Sequence, residues 1–394
     1  IFALVESPRR KGVFWAGTDD GLVHRSDDGG KTWEEITPPD LPEWALISIL
    51  ELSPHEEGCA YLAATRYKHD DTRPYLYKTT DEGKTWKKIT NGIPDGEFTR
   101  VIREDPNRRG LLYAGTETGL YVSFDDGGHW RRLAGNPFAS LRARPELVEG
   151  TSLPVAPIAD LVIKGVEMVV ATHGRSFWIL DDLTPLHQMK DELDGATVHL
   201  FAPRPTVRLR RYHGWGGEPT RGMVNYGHAG VSQTLHDAAD RPDGTLGNAL
   251  LTSGANPPDG IVVQYYLREK PAGDLTLTFL DDQGNEIRSY SSGAETAPRP
   301  PAAPGINRFV WNLRCPGATK PTGEDLQVWD RPDGPMVVPG SYRVRLTADG
   351  HTQEQPIEIQ RDPRIATSDA DLAAQRDHLL TIRDALSPNN QTRN

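Results

Sequence analysis

The sequence predicts an all-β chain: a partial β-propeller of four-stranded blades, then a β-sandwich, then a C-terminal helix. Three observations predict it. The pattern Ser/Thr-x-Asp-x-Gly-x-x-Trp occurs at Ser26–Trp33, Thr79–Trp86 and Ser123–Trp130. Its copies lie roughly 40–50 residues apart, the length of a small four-stranded propeller sheet. Beyond Gly260, short runs of apolar residues recur between turn signals, as in a sandwich.

Each octet stands between two strand-like runs, such as Gly119–Val122 before the third copy and Arg131–Leu133 after it. An Asp-x-Gly core between such runs is a hairpin signal. The carboxylates of Asp28, Asp81 and Asp125 can accept bonds from backbone N–H groups of the turn. Gly30, Gly83 and Gly127 supply a backbone conformation that a Cβ opposes. Trp33, Trp86 and Trp130 are expected to bury their rings against their own blades. Recurrence in every unit reads as a folding device, because one active site needs no such repetition.

The octet resembles the Asp-box, or BNR repeat, of sialidases, two-propeller xyloglucanases, sortilin-type receptors and bacterial exported proteins. The resemblance implies that each box joins the third and fourth strands of a blade, remote from any active site. It also implies a secreted or periplasmic location. The fold signal is strong, whereas fold alone does not carry function.

Blade one is expected from Ile1 to about Pro38, with strands at Phe2–Val5, Val13–Ala16, Leu22–Arg25 and Thr32–Ile36. Blade two takes Leu46–Leu52, Cys59–Ala64, Tyr75–Thr79 and Thr85–Ile89; blade three takes Thr99–Arg103, Leu111–Gly115, Leu120–Ser123 and Trp130–Leu133. A fourth unit without a box takes Ile158–Ile163, Glu167–Ala171 and Phe177–Leu180, with Thr197–Phe201 as a candidate last strand. Residues 1–200 are thus read as propeller, interrupted by an inert insertion at 138–151 that resembles a translated interspersed repeat. The chain starts at Ile1 inside a strand-like run, so further blades are expected upstream.

Residues 201–259 are Gly-, Pro- and His-rich with little periodicity, and read as an irregular linker. Residues 260–361 read as an immunoglobulin- or fibronectin-III-like sandwich, which Gly305–Arg314 and Val338–Leu346 resemble. A capped helix is expected over 367–388, with Leu372, Leu379, Leu380 and Ile382 on its apolar side.

The chain has 394 residues, 37% hydrophobic and 25% charged, with 38 Gly and 32 Pro, as many short strands and turns require. A net charge of −11 argues against nucleic acid and anionic membrane surfaces as partners. No apolar run is long enough to span a membrane. Cys59 and Cys315 fall in different modules and are not expected to pair.

No phosphate loop, nucleophile elbow or nucleotide fingerprint is present, and no cofactor is expected. His24, His55, His69 and His129 lack metal-ligand spacing, so no metal is expected either. A sialidase-type site needs three arginines on a carboxylate; Arg100, Arg103, Arg175 and Arg221 are available. A xyloglucanase-type site needs two acids facing across a cleft. The loop acids Asp19, Asp20, Asp70, Asp71 and Glu117 are available, and Glu117 and Asp182 are each candidate catalytic residues.

His173-Gly-Arg175 stands where the fourth unit lacks a box. His173 and Arg175 are candidate ligand contacts; the structural alternative pairs Arg175 with Asp181 or Asp182. Trp215, in a Gly-rich aromatic stretch, is a third candidate. The leading expectation is a non-catalytic module that recognises protein or carbohydrate. A glycoside hydrolase is the alternative, and a sortilin-like peptide binder a third, disfavoured because sortilins carry a cysteine-rich module after the propeller.

Overall fold

A computed structural model describes residues 1–133, 153, 155–189, 195–209, 220–223, 225–229, 232–251, 256–319 and 334–391. The expected insertion at 138–151 lies outside the described residues. The chain divides into two compact units, Ile1–Lys190 and Asp191–Asn394.

In the first unit, β1 (Ala3–Glu6), β2 (Phe14–Gly17), β3 (Val23–Ser26) and β4 (Glu34–Glu35) form one antiparallel meander. A second contains β5 (Leu46–Leu52), β6 (Ala60–Arg66), β7 (Asp71–Thr79) and β8 (Lys87–Lys88). The third contains β9 (Thr99–Glu104), β10 (Leu112–Thr116), β11 (Leu120–Ser123) and β12 (Arg131–Arg132). The fourth has three strands, β13 (Ile158–Lys164), β14 (Glu167–Thr172) and β15 (Phe177–Leu180), followed by the short helix α1 (Thr184–Gln188). The first strands β1, β5, β9 and β13 touch in succession. The sheets therefore fan out from a shared line of first strands, as propeller blades do.

Inner blades are covered on both faces, which explains the near-continuous apolar run of β6. Ala60, Leu62 and Ala64 face a core shared with Trp15, Val23 and Ile36 of the first blade. Tyr61 and Ala63 face the opposite way, into a core with Ile102, Leu112, Tyr121 and Trp130 of the third. Period-2 alternation thus assigns neighbouring residues of one strand to two different seams.

In the second unit, the strands are β16 (Val198–Leu200), β17 (Thr206–Arg208), β18 (Asn225–Ala229), β19 (Ser232–Asp240), β20 (Leu246–Leu250), β21 (Ile261–Leu267), β22 (Thr276–Leu280), β23 (Glu286–Ser291), β24 (Gly305–Trp311), β25 (Gly340–Ala348) and β26 (His351–Arg361). Two sheets, β16-β21-β24 and β17-β26-β25-β22-β23, enclose one core containing Tyr265, Phe279, Phe309 and Trp311.

Two expectations are corrected here. Val198–Leu200 does not close the fourth blade; it pairs antiparallel with β21 in the sandwich. Its edge is fastened by Gln353, whose side chain bonds Leu200 N and Val198 O at 2.8 and 3.0 Å. The stretch read as irregular holds the meander β18-β19-β20, and β17 joins the sandwich in parallel with β26. Partners far along the chain make strands of β16 and β17, whereas β18-β19-β20 is a local meander.

The final helix, α2 (Asp369–Gln391), begins at an N-cap serine. The Asp371 N–H donates to Ser368 Oγ at 3.1 Å, and the Ser368 hydroxyl donates to Asp371 Oδ2 at 2.6 Å. Leu372 is buried and Leu380 packs on the sandwich core, but Leu379 and Ile382 are exposed. Among the described residues no helix is long and apolar enough to cross a membrane.

Candidate functional site

The two ends of the blades differ in chemistry. At one end sit the boxes, each on the hairpin between third and fourth strands. Asp28 Oδ1 accepts the N–H groups of Lys31 and Thr32 at 2.9 and 3.0 Å and the Ser26 hydroxyl at 2.9 Å; Oδ2 accepts the Thr32 hydroxyl. Asp81 repeats this with Thr79 and Thr85. In the third copy His129 replaces the threonine and contributes only its N–H, at 2.8 Å to Asp125. Each carboxylate accepts bonds from its own turn, as a folding role requires.

The tryptophans do not stay in their own blades. Trp86 Nε1 donates to the carbonyl of Ile36, one blade back, at 2.7 Å, and its ring meets Trp15 edge-on. Trp130 Nε1 donates to the carbonyl of Ile89, again one blade back, at 2.6 Å. Trp33 is the exception: its indole returns to Gly30 O of its own box. The box is therefore a seam between blades. The residue between Asp and Gly adds an ion pair across it, Glu82 with Arg25 and Asp126 with Lys78.

The opposite end gathers the hairpins between second and third strands, at residues 18–22, 66–71, 116–120 and 172–176, with the links between blades. Asp19, Asp20, Asp70, Asp71, Glu117, His173 and Arg175 all fall here, one loop per blade. Asp182 does not. It follows β15, and its Oδ1 accepts the N–H and hydroxyl of Thr184 at the start of α1. Glu117 and Asp182 therefore lie at opposite ends of their sheets and do not face each other.

Glu117 is held by Arg100, whose Nε and a terminal nitrogen reach Glu117 Oε2 at 3.0 and 2.7 Å. The same guanidinium lies 5.2 Å from the Tyr67 ring and 5.0 Å from the Phe98 ring. Those rings stack at 4.9 Å and 13°. Asp71 accepts from Arg73 and from the Tyr75 hydroxyl, and the Arg73 guanidinium, first among these, holds its carboxyl below the usual range.

The arginines proposed for a carboxylate grip are dispersed. Arg103 bonds Glu51, Asp160 and Leu161 O, and Arg221, in the second unit, pairs with Asp240. Arg175 is exposed, and the expected pair with Asp181 or Asp182 is not what is seen to close its loop. The loop closes instead through its backbone and Trp178. The Thr172 N–H and hydroxyl both donate to Ser176 O, and Trp178 Nε1 donates to Arg175 O at 2.8 Å. Trp215 lies outside the described residues. Among those described, no cluster of His, Cys, Asp and Glu is placed to hold a metal ion.

Trp44 was not among the sequence candidates. It stands in the link between blades one and two, 58% exposed, with φ of 63°. A bulky residue in the left-handed region is an outlier that surrounding structure must hold in place. Its N–H donates to Asp20 O at 2.9 Å, and the carbonyl of neighbouring Glu43 accepts from Arg66 Nε at 3.0 Å. Trp44 and the partly exposed Tyr67 thus sit on fixed backbone at the same end as Glu117. A tryptophan in a Pro-bounded link outside any alternating run was the available signal.

A family model described as BNR/Asp-box repeat matches residues 24–35, and the chain carries Asp-box repeats. It is 25% identical over 147 residues to the xyloglucanase Xgh74A of Acetivibrio thermocellus, covering 34% of this chain and 18% of that enzyme. It is 28% identical over 101 residues to vacuolar protein sorting/targeting protein 10 of Colletotrichum graminicola, covering 24% of this chain and 6% of that protein. These alignments span less than a fifth of each relative's length. Among solved structures, the GH74 xyloglucanase from Xanthomonas campestris aligns with 18% identity and TM-score 0.35, covering 90% of this chain and 45% of that one.

Proposed function

We propose that this chain is a non-catalytic recognition module of an exported protein, binding a carbohydrate or protein ligand at the hairpin end of its blades. The observation that carries the reading is Trp44, an exposed indole held at a positive φ beside Asp20. Exposed, rigid aromatics supply stacking area at low cost in conformational entropy. Tyr67 and Arg100 extend the same surface, and aromatic and arginine side chains are the residues that dominate interfaces. Glu117 belongs to the same surface, held there by its ion pair with Arg100.

The kinship with xyloglucanases favours a second reading, a glycoside hydrolase. One experiment separates the two. The chain is titrated with a panel of polysaccharides, sialosides and candidate protein ligands by calorimetry, and each mixture is assayed for released reducing sugar. The recognition reading expects saturable binding, weakened at least about tenfold by Trp44→Ala, as loss of an anchor requires, without turnover. Turnover abolished by Glu117→Gln or Asp182→Asn would replace it with the hydrolase.

A further inference from the structure

Two of the three seams between the four blades use a donor set that the first blade turns back onto its own box. At the seams, Gly83 and Gly127 lie so close to the preceding blade that a Cβ would sit 2.6 Å from Ile36 Cδ1 and 2.7 Å from Ile89 Cδ1. The indoles of Trp86 and Trp130 then reach the carbonyls of those same isoleucines. Each isoleucine is the third residue after its own blade's tryptophan.

On the first blade the same positions are idle. Trp33 is 41% exposed, and the space beside Gly30 holds only the Trp33 ring. Phe2 and Leu4 are exposed on this face, while Val5, between Leu4 and Glu6, packs into the core. The ladder Leu4–Ala16–His24–Glu35 runs across the sheet, and Trp33 shares the side of Glu35 by period-2 alternation. Phe2, Leu4 and Trp33 are the large apolar side chains this face exposes, and exposed apolar surface of this kind marks an interaction surface.

We propose that this face is a third seam of the box-fastened kind. Its occupant is an antiparallel sheet of the same Asp-box kind, presenting an aliphatic side chain and its carbonyl three residues after its own tryptophan. On docking, Trp33 Nε1 moves from Gly30 O to that carbonyl. Gly29 stands where the other boxes carry Glu82 and Asp126, so this seam lacks the ion pair and the partner needs no counterpart of Arg25 or Lys78.

The test extends the chain by its own first blade. Residues 1–43 are duplicated ahead of Ile1, which places the added sheet as β1 stands to β5, since these begin at Ala3 and Leu46. The protein is labelled with fluorotryptophan, and the original Trp33 is assigned with Trp33→Phe. Loss of its solvent isotope shift on extension is the expected result, with exposure restored by Ile36→Asp in the added blade. An original Trp33 as exposed as in the parent chain would overturn the proposal. Sedimentation of the parent chain is the second measurement: a monomer is expected, and a dimer dissociated by Leu4→Glu would give the face to a second copy and overturn it.

Discussion

The indole N–H of Trp130 donates to the carbonyl of Ile89 across the seam between the second and third blades, at 2.6 Å. Both residues hold equivalent places in their repeats to Trp86 and Ile36, which make the same bond one blade earlier. The octet is therefore a two-part device. Its aspartate closes a hairpin, and its tryptophan and glycine fasten that hairpin to the blade before it.

This division of labour ranks the three tryptophans. Trp130 is 1% exposed, so Trp130→Ala removes a buried ring and leaves a carbonyl and a cavity, a loss of about 3–5 kcal/mol. Trp86→Ala should cost somewhat less, because its ring is partly exposed. Trp33→Ala should stay within about 1 kcal/mol of the parent, as an exposed site does. Urea denaturation followed by circular dichroism gives the order; a Trp33 variant as damaged as the Trp130 variant would refute the seam account.

The glycines make a sharper comparison. Gly30, Gly83 and Gly127 all adopt positive φ, between 83° and 88°. Alanine at each meets the same backbone strain, about 1–2 kcal/mol. Only Gly83→Ala and Gly127→Ala also drive a methyl into the isoleucine of the neighbouring blade. Overpacking adds about 1–3 kcal/mol, so these two should lose clearly more stability than Gly30→Ala in the same titration.

The turn carboxylates predict an acid dependence. Bonds from the Thr32 N–H and hydroxyl lower the pKa of Asp28, and bonds from Thr85 lower that of Asp81. Burial raises that of Asp125, yet the His129 N–H and Ser123 hydroxyl carry it below its ordinary value. Each carboxyl binds its proton less readily folded than unfolded. Their contribution is therefore present above the unfolded value of about pH 4 and is lost as pH falls through the folded values. Thermal melts from neutral pH downward should show the parent losing stability below about pH 4. The triple variant Asp28→Asn, Asp81→Asn, Asp125→Asn should start lower and fall less steeply; an equal slope would contradict the assignment.

The propeller was legible because its signals are local. Three octets mark the hairpins, and alternating runs locate the strands: the expected Leu46–Leu52, Leu120–Ser123 and Phe177–Leu180 coincide with β5, β11 and β15. What the sequence concealed depends on partners distant along the chain. Nothing local tells that Trp86 reaches Ile36, or that Val198–Leu200 pairs with Tyr265–Leu267. The candidate site was legible only as a set of loops. That Asp19, Glu117 and His173 share one end follows from meander order, whereas the exposure and positive φ of Trp44 require coordinates. Asp182 was misplaced for the complementary reason: it lies close in sequence to His173 but follows a whole strand later, at the other end of the blade.

Hydrogen exchange at the three box indoles tests the central claim most directly, read by nitrogen-resolved NMR after transfer to heavy water. The seam account predicts slow exchange at Trp86 Nε1 and Trp130 Nε1, whose bonds break only when blades part, and fast exchange at Trp33 Nε1 on its exposed turn. Equal, rapid exchange at all three would contradict it, leaving the boxes as hairpin clasps with no part in joining one blade to the next.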